Sequence, residues 1–205
     1  AAAARDYPIV FAQGSSAPIA VLGLEPANLF VNDGHWTEGC YIPAYVRRYP
    51  FGFIQAPEPD RFVLGVDILS TRLSENGAEG LPLFDGDQPS PITRDMLAFC
   101  ETFQADAAQT SRFCEALNAH DLLIDRRADA TLPNGRQLGV DGFSVIDTDK
   151  FATLDTATIV DWHRNGWLPL IHFHLFSLGR FTDLLARQSA RAPEARTSET
   201  LADVA

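Results

Sequence analysis

Asp161, His163 and Arg164 stand within one helical turn of each other, followed by Asn165 and Gly166. A carboxylate, an imidazole and a guanidinium so close together could move a proton and hold an anion, which is what general acid–base chemistry needs. These three are the candidate catalytic residues. A second constellation, Tyr41, Tyr45, Arg47, Arg48 and Tyr49, together with Trp167 further along, holds the residue types that dominate protein-binding hot spots. These six are the candidate binding residues. Arg47 and Arg48 could receive a carboxylate or phosphate, although in a chain this acidic an isolated basic pair is expected to bridge to Asp or Glu within the protein.

Other chemistry finds little support in the spacing. His172 and His174 lie about 200° apart around a helix, and His163 and His174 about 16 Å apart along one, so neither pair can share an ion. There is no H-E-x-x-H, no facial-triad pattern, no Walker loop, no G-x-G-x-x-G and no G-x-S-x-G. Asp85-Gly-Asp87 lacks the further acidic ligands of an EF-hand. No metal and no cofactor is therefore expected, and buried histidines should be held by backbone or carboxylate groups. Cys40, Cys100 and Cys114 are odd in number and form no C-x-x-C, which points to free thiols rather than a disulfide framework.

The elements that must position these residues follow from periodicity. Tyr7–Phe11 and Ile19–Leu24 read as strands around a turn at Gln13–Ser16, and Leu29–Val31 reads as a third strand of the same meander. Ile42, Tyr45, Val46 and Tyr49 mark one face of a helix between Trp36 and Phe51, ended by Pro50. Phe51–Gln55 and Arg61–Ile68 form a second hairpin, and Ser70–Ser90 a long loop of the kind that is usually functional. A helix over Pro91–His120, bent near Ala105–Ser111, precedes strands at Leu122–Ile124, Ala128–Leu132 and Gln137–Ile146. Asn134-Gly135 between the last two suits a type I′ turn. The last helix, from Asp155 or Thr156 to about Gln188, is apolar nearly all round and should be central, buried and kinked by Pro169.

Composition sets the outer limits. The 205 residues carry 16 basic against 27 acidic side chains, a formal charge of -11. That balance repels phosphate backbones and argues against nucleic acid as the partner. No apolar run reaches the roughly 20 residues of a membrane span. The sum is an α+β chain, a mainly antiparallel sheet against two long helices, with one domain over residues 1–190 and an unstructured tail over 191–205. Acidity and free cysteines point to the cytoplasm.

Several segments in order resemble the bacterial SapC family. They are Tyr7-Pro-Ile-Val-Phe11, Ile19–Leu24, Asn28–Val31, Tyr41–Phe51, Pro82-Leu-Phe-Asp85, Leu132-Pro-Asn-Gly135, Gly142-Phe-Ser-Val145 and His163–Leu168. The resemblance covers nearly the whole chain and carries no defined catalytic set. It implies an accessory or binding protein engaging another protein or peptide in a bacterial surface-layer, outer-membrane uptake or modification system, and so leans towards the cell surface. The engaging parts would be the sheet edge, the Tyr41–Phe51 segment or the Ser70–Ser90 loop. The alternative is an enzyme acting on a peptide or surface glycan through Asp161, His163 and Arg164.

Overall fold

A computed structural model of the chain describes residues 1–191 apart from 59, 60, 75, 76, 78, 79 and 133. It is α+β, with 40% helix, 24% strand and antiparallel sheets. The tail expected from residue 191 onward falls, beyond Arg191 itself, outside the described residues.

The first hairpin forms as its turn residues dictate. Strand β1 (Ile9–Ala12) pairs β2 (Pro18–Ala20), with Phe11 opposite Pro18. Leu29–Val31 does not extend this meander. Instead β3 (Val31–Asn32) turns back on β4 (His35–Trp36) as a separate ribbon. Asp33 and Gly34 take φ of 48° and 77°, both positive as a type I′ turn requires.

The helix read between Trp36 and Phe51 shrinks to one turn, α1 (Ala44–Arg47). Pro43 opens it, and Pro50 forbids helical backbone at Tyr49 by crowding the preceding residue. The hairpin of β5 (Phe51–Gln55) and β6 (Phe62–Val66) follows in the expected register, Phe53 opposite Leu64. Within the long loop, β7 (Phe84–Asp85) and β8 (Gln88–Pro89) pair around Gly86 and Asp87, so the Asp-Gly-Asp sequence is a hairpin turn. Helix α2 (Pro91–Ala119) then runs unbroken through Ala105–Ser111.

Strands β9 (Leu123–Thr131) and β10 (Gln137–Ile146) form the long hairpin. Its loop is one residue longer than a type I′ turn. The Leu132 amide donates to the Arg136 carbonyl and the Gly135 amide to that of Leu132, with Gly135 at φ 81°. Four helices follow among the described residues: α3 (Thr148–Ala152), α4 (Thr156–Arg164), α5 (Trp167–Ser177) and α6 (Arg180–Arg191).

The single C-terminal helix of the sequence reading is thus three helices. The first break is at Gly166, not Pro169. Gly166 takes φ 71° and its amide closes on the His163 carbonyl, the usual left-handed end of a helix. Pro169 sits in the first turn of α5, where its missing N–H costs nothing. The second break, at Leu178–Gly179, is a tight turn of i→i−3 bonds. A Cβ at Gly166 would meet nothing within 4 Å, so Gly166→Ala isolates the conformational cost. It is expected to lower stability by about 1 kcal/mol, read by urea titration of tryptophan fluorescence; no change would mean the break is not held by that residue.

Internal contacts gather the chain into two compact units. One holds residues 1–41 and the chain from Ala116 onward; the other is Ile42–Glu115. The first unit is built on a sheet of order β2-β1-β10-β9. β10 changes character at a bulge between Val140 and Phe143, where Gly142 takes φ 77°. Before the bulge its residues alternate; after it Phe143–Ile146 are all buried, because β1 now flanks it on the other side. Leu178 and Phe181 pack on Val10, Phe143 and Val145, while Leu184 joins Tyr7, Leu29 and Phe30 in an adjoining cluster.

Helix α5 buries one stripe only. Ile171, His174 and Ser177 are buried, whereas Phe173 and Phe176 remain 44% and 64% exposed; the all-round burial read from its composition does not occur. The stripe is an i, i+3, i+6 face, and two of its three residues are polar. They enter the sheet. Continuing the β1–β10 register from Phe11 opposite Ser144 would place Ile9 opposite Ile146. That backbone pair does not form. The Ile146 amide donates to His174 Nε2 at 3.1 Å, and His174 Nδ1 meets the Ile9 carbonyl at 2.8 Å. The Ile9 amide donates to Ser177 Oγ at 3.0 Å. Side chains of α5 therefore satisfy the backbone groups that the opened ladder leaves behind.

Candidate functional site

The second unit carries most of the exposed large apolar side chains among the described residues. Of fifteen large apolar side chains exposed among the described residues, eleven lie in Ile42–Glu115, including Tyr45, Ile54, Phe62, Ile68, Leu69 and Leu81. Ile68, Leu69 and Leu81 are 80%, 87% and 74% exposed. The face marked by Ile42, Tyr45 and Tyr49 is part of this surface, with Tyr45 and Tyr49 67% and 43% exposed. A single turn has too little length to bury a stripe.

Arginines lie over the rings of this unit. The Arg48 guanidinium sits 4.4 Å from the centre of the Tyr45 ring and 4.8 Å from that of Phe103. Arg47 lies 5.1 Å from the Phe99 ring and donates from Nε to the Ile42 carbonyl. Phe99 and Phe103 are i, i+4 on α2 and present one ring to each arginine. Among the described residues Arg48 has no carboxylate within ion-pair distance; the internal bridge expected of it is replaced by stacking. Arg72 lies 5.8 Å from the Tyr49 ring and donates from Nη1 to the Tyr49 carbonyl at 3.2 Å. The Tyr49 hydroxyl donates to Asp67 at 3.1 Å, and Asp67 also accepts the Leu69 amide.

Two grooves run through this cluster. One, of about 300 Å³, is lined by Tyr45, Val46, Arg48, Tyr49, Phe51 and Arg72. The other, of about 460 Å³, has Pro50, Phe51, Leu81, Leu83 and Ile92 among its walls and again Arg72. Phe51 and Arg72 thus belong to both. Volumes of this order suit ligand groups of several side chains. Arg72 was not among the candidates from sequence. It is the lone cation of the Ser70–Ser90 segment, and that is the signal that could have found it.

The other candidates fall elsewhere. Tyr41 belongs to the first unit, where its carbonyl accepts from the Tyr7 hydroxyl and its amide donates to Asp6 at 2.7 Å; Arg5, bonded to Asp6, holds that carboxyl below the usual range. Trp167 stands edge-on to buried Trp162, which also meets the His120 ring. Asp161, His163 and Arg164 are all exposed at the C-terminal end of α4. The side chain of Asn165 donates to both the carbonyl and the carboxylate of Asp161 at 3.0 Å. Neither an Asp161–His163 nor an Asp161–Arg164 hydrogen bond links the three. None of them lines the grooves above, or the apolar pit of about 160 Å³ against α6.

The remaining reactive groups are enclosed. His172 is exposed and His174 buried, as their spacing on a helix requires. Burial lowers His174 to about 4, so its ring is neutral, with Nδ1–H donating to Ile9. Cys100 and Cys114 are buried free thiols whose pKa burial pushes up, which makes them poor nucleophiles. Among the described residues no cluster of three His, Cys, Asp or Glu could hold a metal ion. No helix there is long and apolar enough to cross a membrane.

Comparison with known proteins agrees with one family. No curated protein and no solved structure matches the chain. The family model described as SapC matches residues 1–184, nearly all of the 205. The chain belongs to the SapC family.

Proposed function

We propose that this protein is an accessory protein that binds another protein or peptide through the surface of its second unit. The observation that carries the reading is the concentration of exposed apolar side chains in that unit, with Tyr45, Tyr49 and Leu81 among them beside Arg48 or Arg72. A monomeric soluble surface rarely leaves large apolar side chains clustered in this way, and clusters rimmed by polar groups mark interaction sites. Aromatic and arginine side chains are also the types that supply most binding energy at protein interfaces. The family name, taken from genes associated with surface-layer proteins, supports a partner from a surface-layer, uptake or modification system.

Photo-crosslinking in the native cell tests this. p-Benzoylphenylalanine placed at Tyr45 or Leu81 should join the protein to the same polypeptide, and Arg48→Glu should abolish that product. The same probe at Phe176, an exposed apolar side chain of the first unit, should not yield it. Failure at both second-unit positions, or equal capture at Phe176, would sink the reading.

A further inference from the structure

We propose that the occupant of the second-unit grooves is an extended segment of a partner protein in which a carboxylate stands beside a large apolar side chain. This rests on the binding role proposed above and adds the chemistry of the ligand.

The charge pattern carries it. Six described cations of this chain of formal charge -11 pair with a carboxylate, and none of the six lines these grooves. Arg5, Arg61, Arg127, Arg136 and Arg180 each pair with Asp or Glu. Arg48 and Arg72 have no such pair among the described residues, although both line a groove. Both are also held in place. The Arg48 guanidinium lies over both the Tyr45 and the Phe103 rings, and no hydrogen bond among the described residues uses its N–H groups. One N–H of Arg72 is used on the Tyr49 carbonyl, which leaves others for a second acceptor. A planar fork held in advance matches a carboxylate through two parallel hydrogen bonds and loses little entropy on binding.

The walls choose what flanks the carboxylate. Arg72 and Phe51 belong to both grooves, so an acid bound at Arg72 has Tyr45 and Val46 on one side and Leu81, Leu83 and Ile92 on the other. Apolar side chains next to the acid would fill those walls. Asp67 is the acidic group beside Tyr49, and its oxygens already accept the Tyr49 hydroxyl and the Leu69 amide. It repels a second acid at that end and so favours the ligand carboxylate at Arg72 and Arg48. A segment of polypeptide fits better than a small acid, because Ile68 and Leu69 extend the exposed apolar surface next to Asp67 in the chain. An anionic membrane fits worse, because the net charge of the whole chain opposes it.

Panning the intact protein against a random heptapeptide display library tests the inference without assuming a sequence. The expected consensus has Asp or Glu next to Phe, Trp or Leu. The selected peptide should bind at least about tenfold more weakly when its acid is changed to the amide, and more weakly as salt rises. Arg72→Gln should remove the difference between acid and amide, and Arg72→Lys should restore part of it. Far-ultraviolet circular dichroism on each variant reports that it is folded. An apolar consensus without acid, recovered equally by Arg72→Gln, overturns the carboxylate and leaves the binding role standing. No enriched sequence, or Arg72-dependent binding to phosphatidylglycerol vesicles in place of peptides, also overturns it. Cross-linking at Tyr45 reads the binding role independently.

Discussion

Replacing His174 by alanine is expected to remove about 4 kcal/mol of stability from the first unit. His174 is 3% exposed and spans the opening between β1 and β10, bonded to the Ile146 amide and the Ile9 carbonyl. Truncation leaves both backbone groups buried without partners and opens space against the Phe11 ring, now 5.0 Å away. Each orphaned group costs about 1–3 kcal/mol, more than the bond it lost would suggest, since water cannot reach it. All three tryptophans, Trp36, Trp162 and Trp167, lie in the first unit, so urea titration by tryptophan fluorescence reads that unit. A loss below about 1 kcal/mol would mean that the strands close and pair directly once the ring is gone.

The same residue sets an acid limit. Its folded pKa of about 4 lies below the ordinary histidine value of 6.5 because burial disfavours the charged ring, so the unfolded chain takes up the proton first as pH falls. The contribution is therefore whole above pH 6.5 and drains as pH falls towards 4, about 3 kcal/mol in all. The wild-type protein should lose stability across that window, and the His174→Ala protein should show a flatter profile there. Carboxylates held low, such as Asp6 through Arg5, act at more acid pH and do not blur the comparison. Equal slopes in the two proteins would refute the buried neutral imidazole.

Tyr7→Phe is expected to cost about 3 kcal/mol, although it removes one oxygen atom. Tyr7 is 0% exposed, and its hydroxyl accepts from Trp36 Nε1 at 2.9 Å while donating to the Tyr41 carbonyl. Burial raises the phenol to about 12, so it stays protonated and able to donate. Its ring meets Phe30 edge-on with centroids 4.7 Å apart, and phenylalanine preserves that contact. Only the two hydrogen bonds are lost, and both former partners remain part-buried. A shift in urea midpoint with unchanged slope would confirm a pure stability loss. A shift of less than about 0.5 kcal/mol would show that solvent reaches the two partners.

Much of the local structure was legible in the sequence because it depends on nearest neighbours. The hairpin at Phe51–Val66, the long helix from Pro91 and the cap at Asp155, which accepts the Thr158 amide, follow from turn residues, apolar spacing and capping chemistry. The break in the C-terminal helices shows where such reading weakens. Gly166 and Pro169 were both visible, but which of them interrupts the helix depends on register. Proline inside a first turn is harmless, whereas glycine in left-handed backbone ends a helix outright.

The candidate site was half legible. Tyr45, Arg48 and Tyr49 stood out by type and spacing, and they do line one groove. Arg72 did not, because nothing in a loop of mixed polar residues says that its lone cation will turn back onto a ring more than twenty positions earlier. Asp161, His163 and Arg164 stood out equally well by type, yet they point to solvent with no bond joining them. Proximity in sequence brought their backbones together and not their functional atoms.

By itself the sequence determined the class of fold, the resemblance to SapC, the acidic character that disfavours nucleic acid, and the segments worth testing for binding. Tertiary structure alone decided which strand completes the first sheet, which face of α5 is buried, and that His174 and Ser177 replace a missing rung between Ile9 and Ile146. It also decided that Arg48 and Arg72 lie over rings, without a carboxylate in ion-pair distance among the described residues. The reason is physical. Helices, turns and caps are set by interactions within a few residues, whereas burial and charge pairing depend on groups that folding gathers from distant parts of the chain.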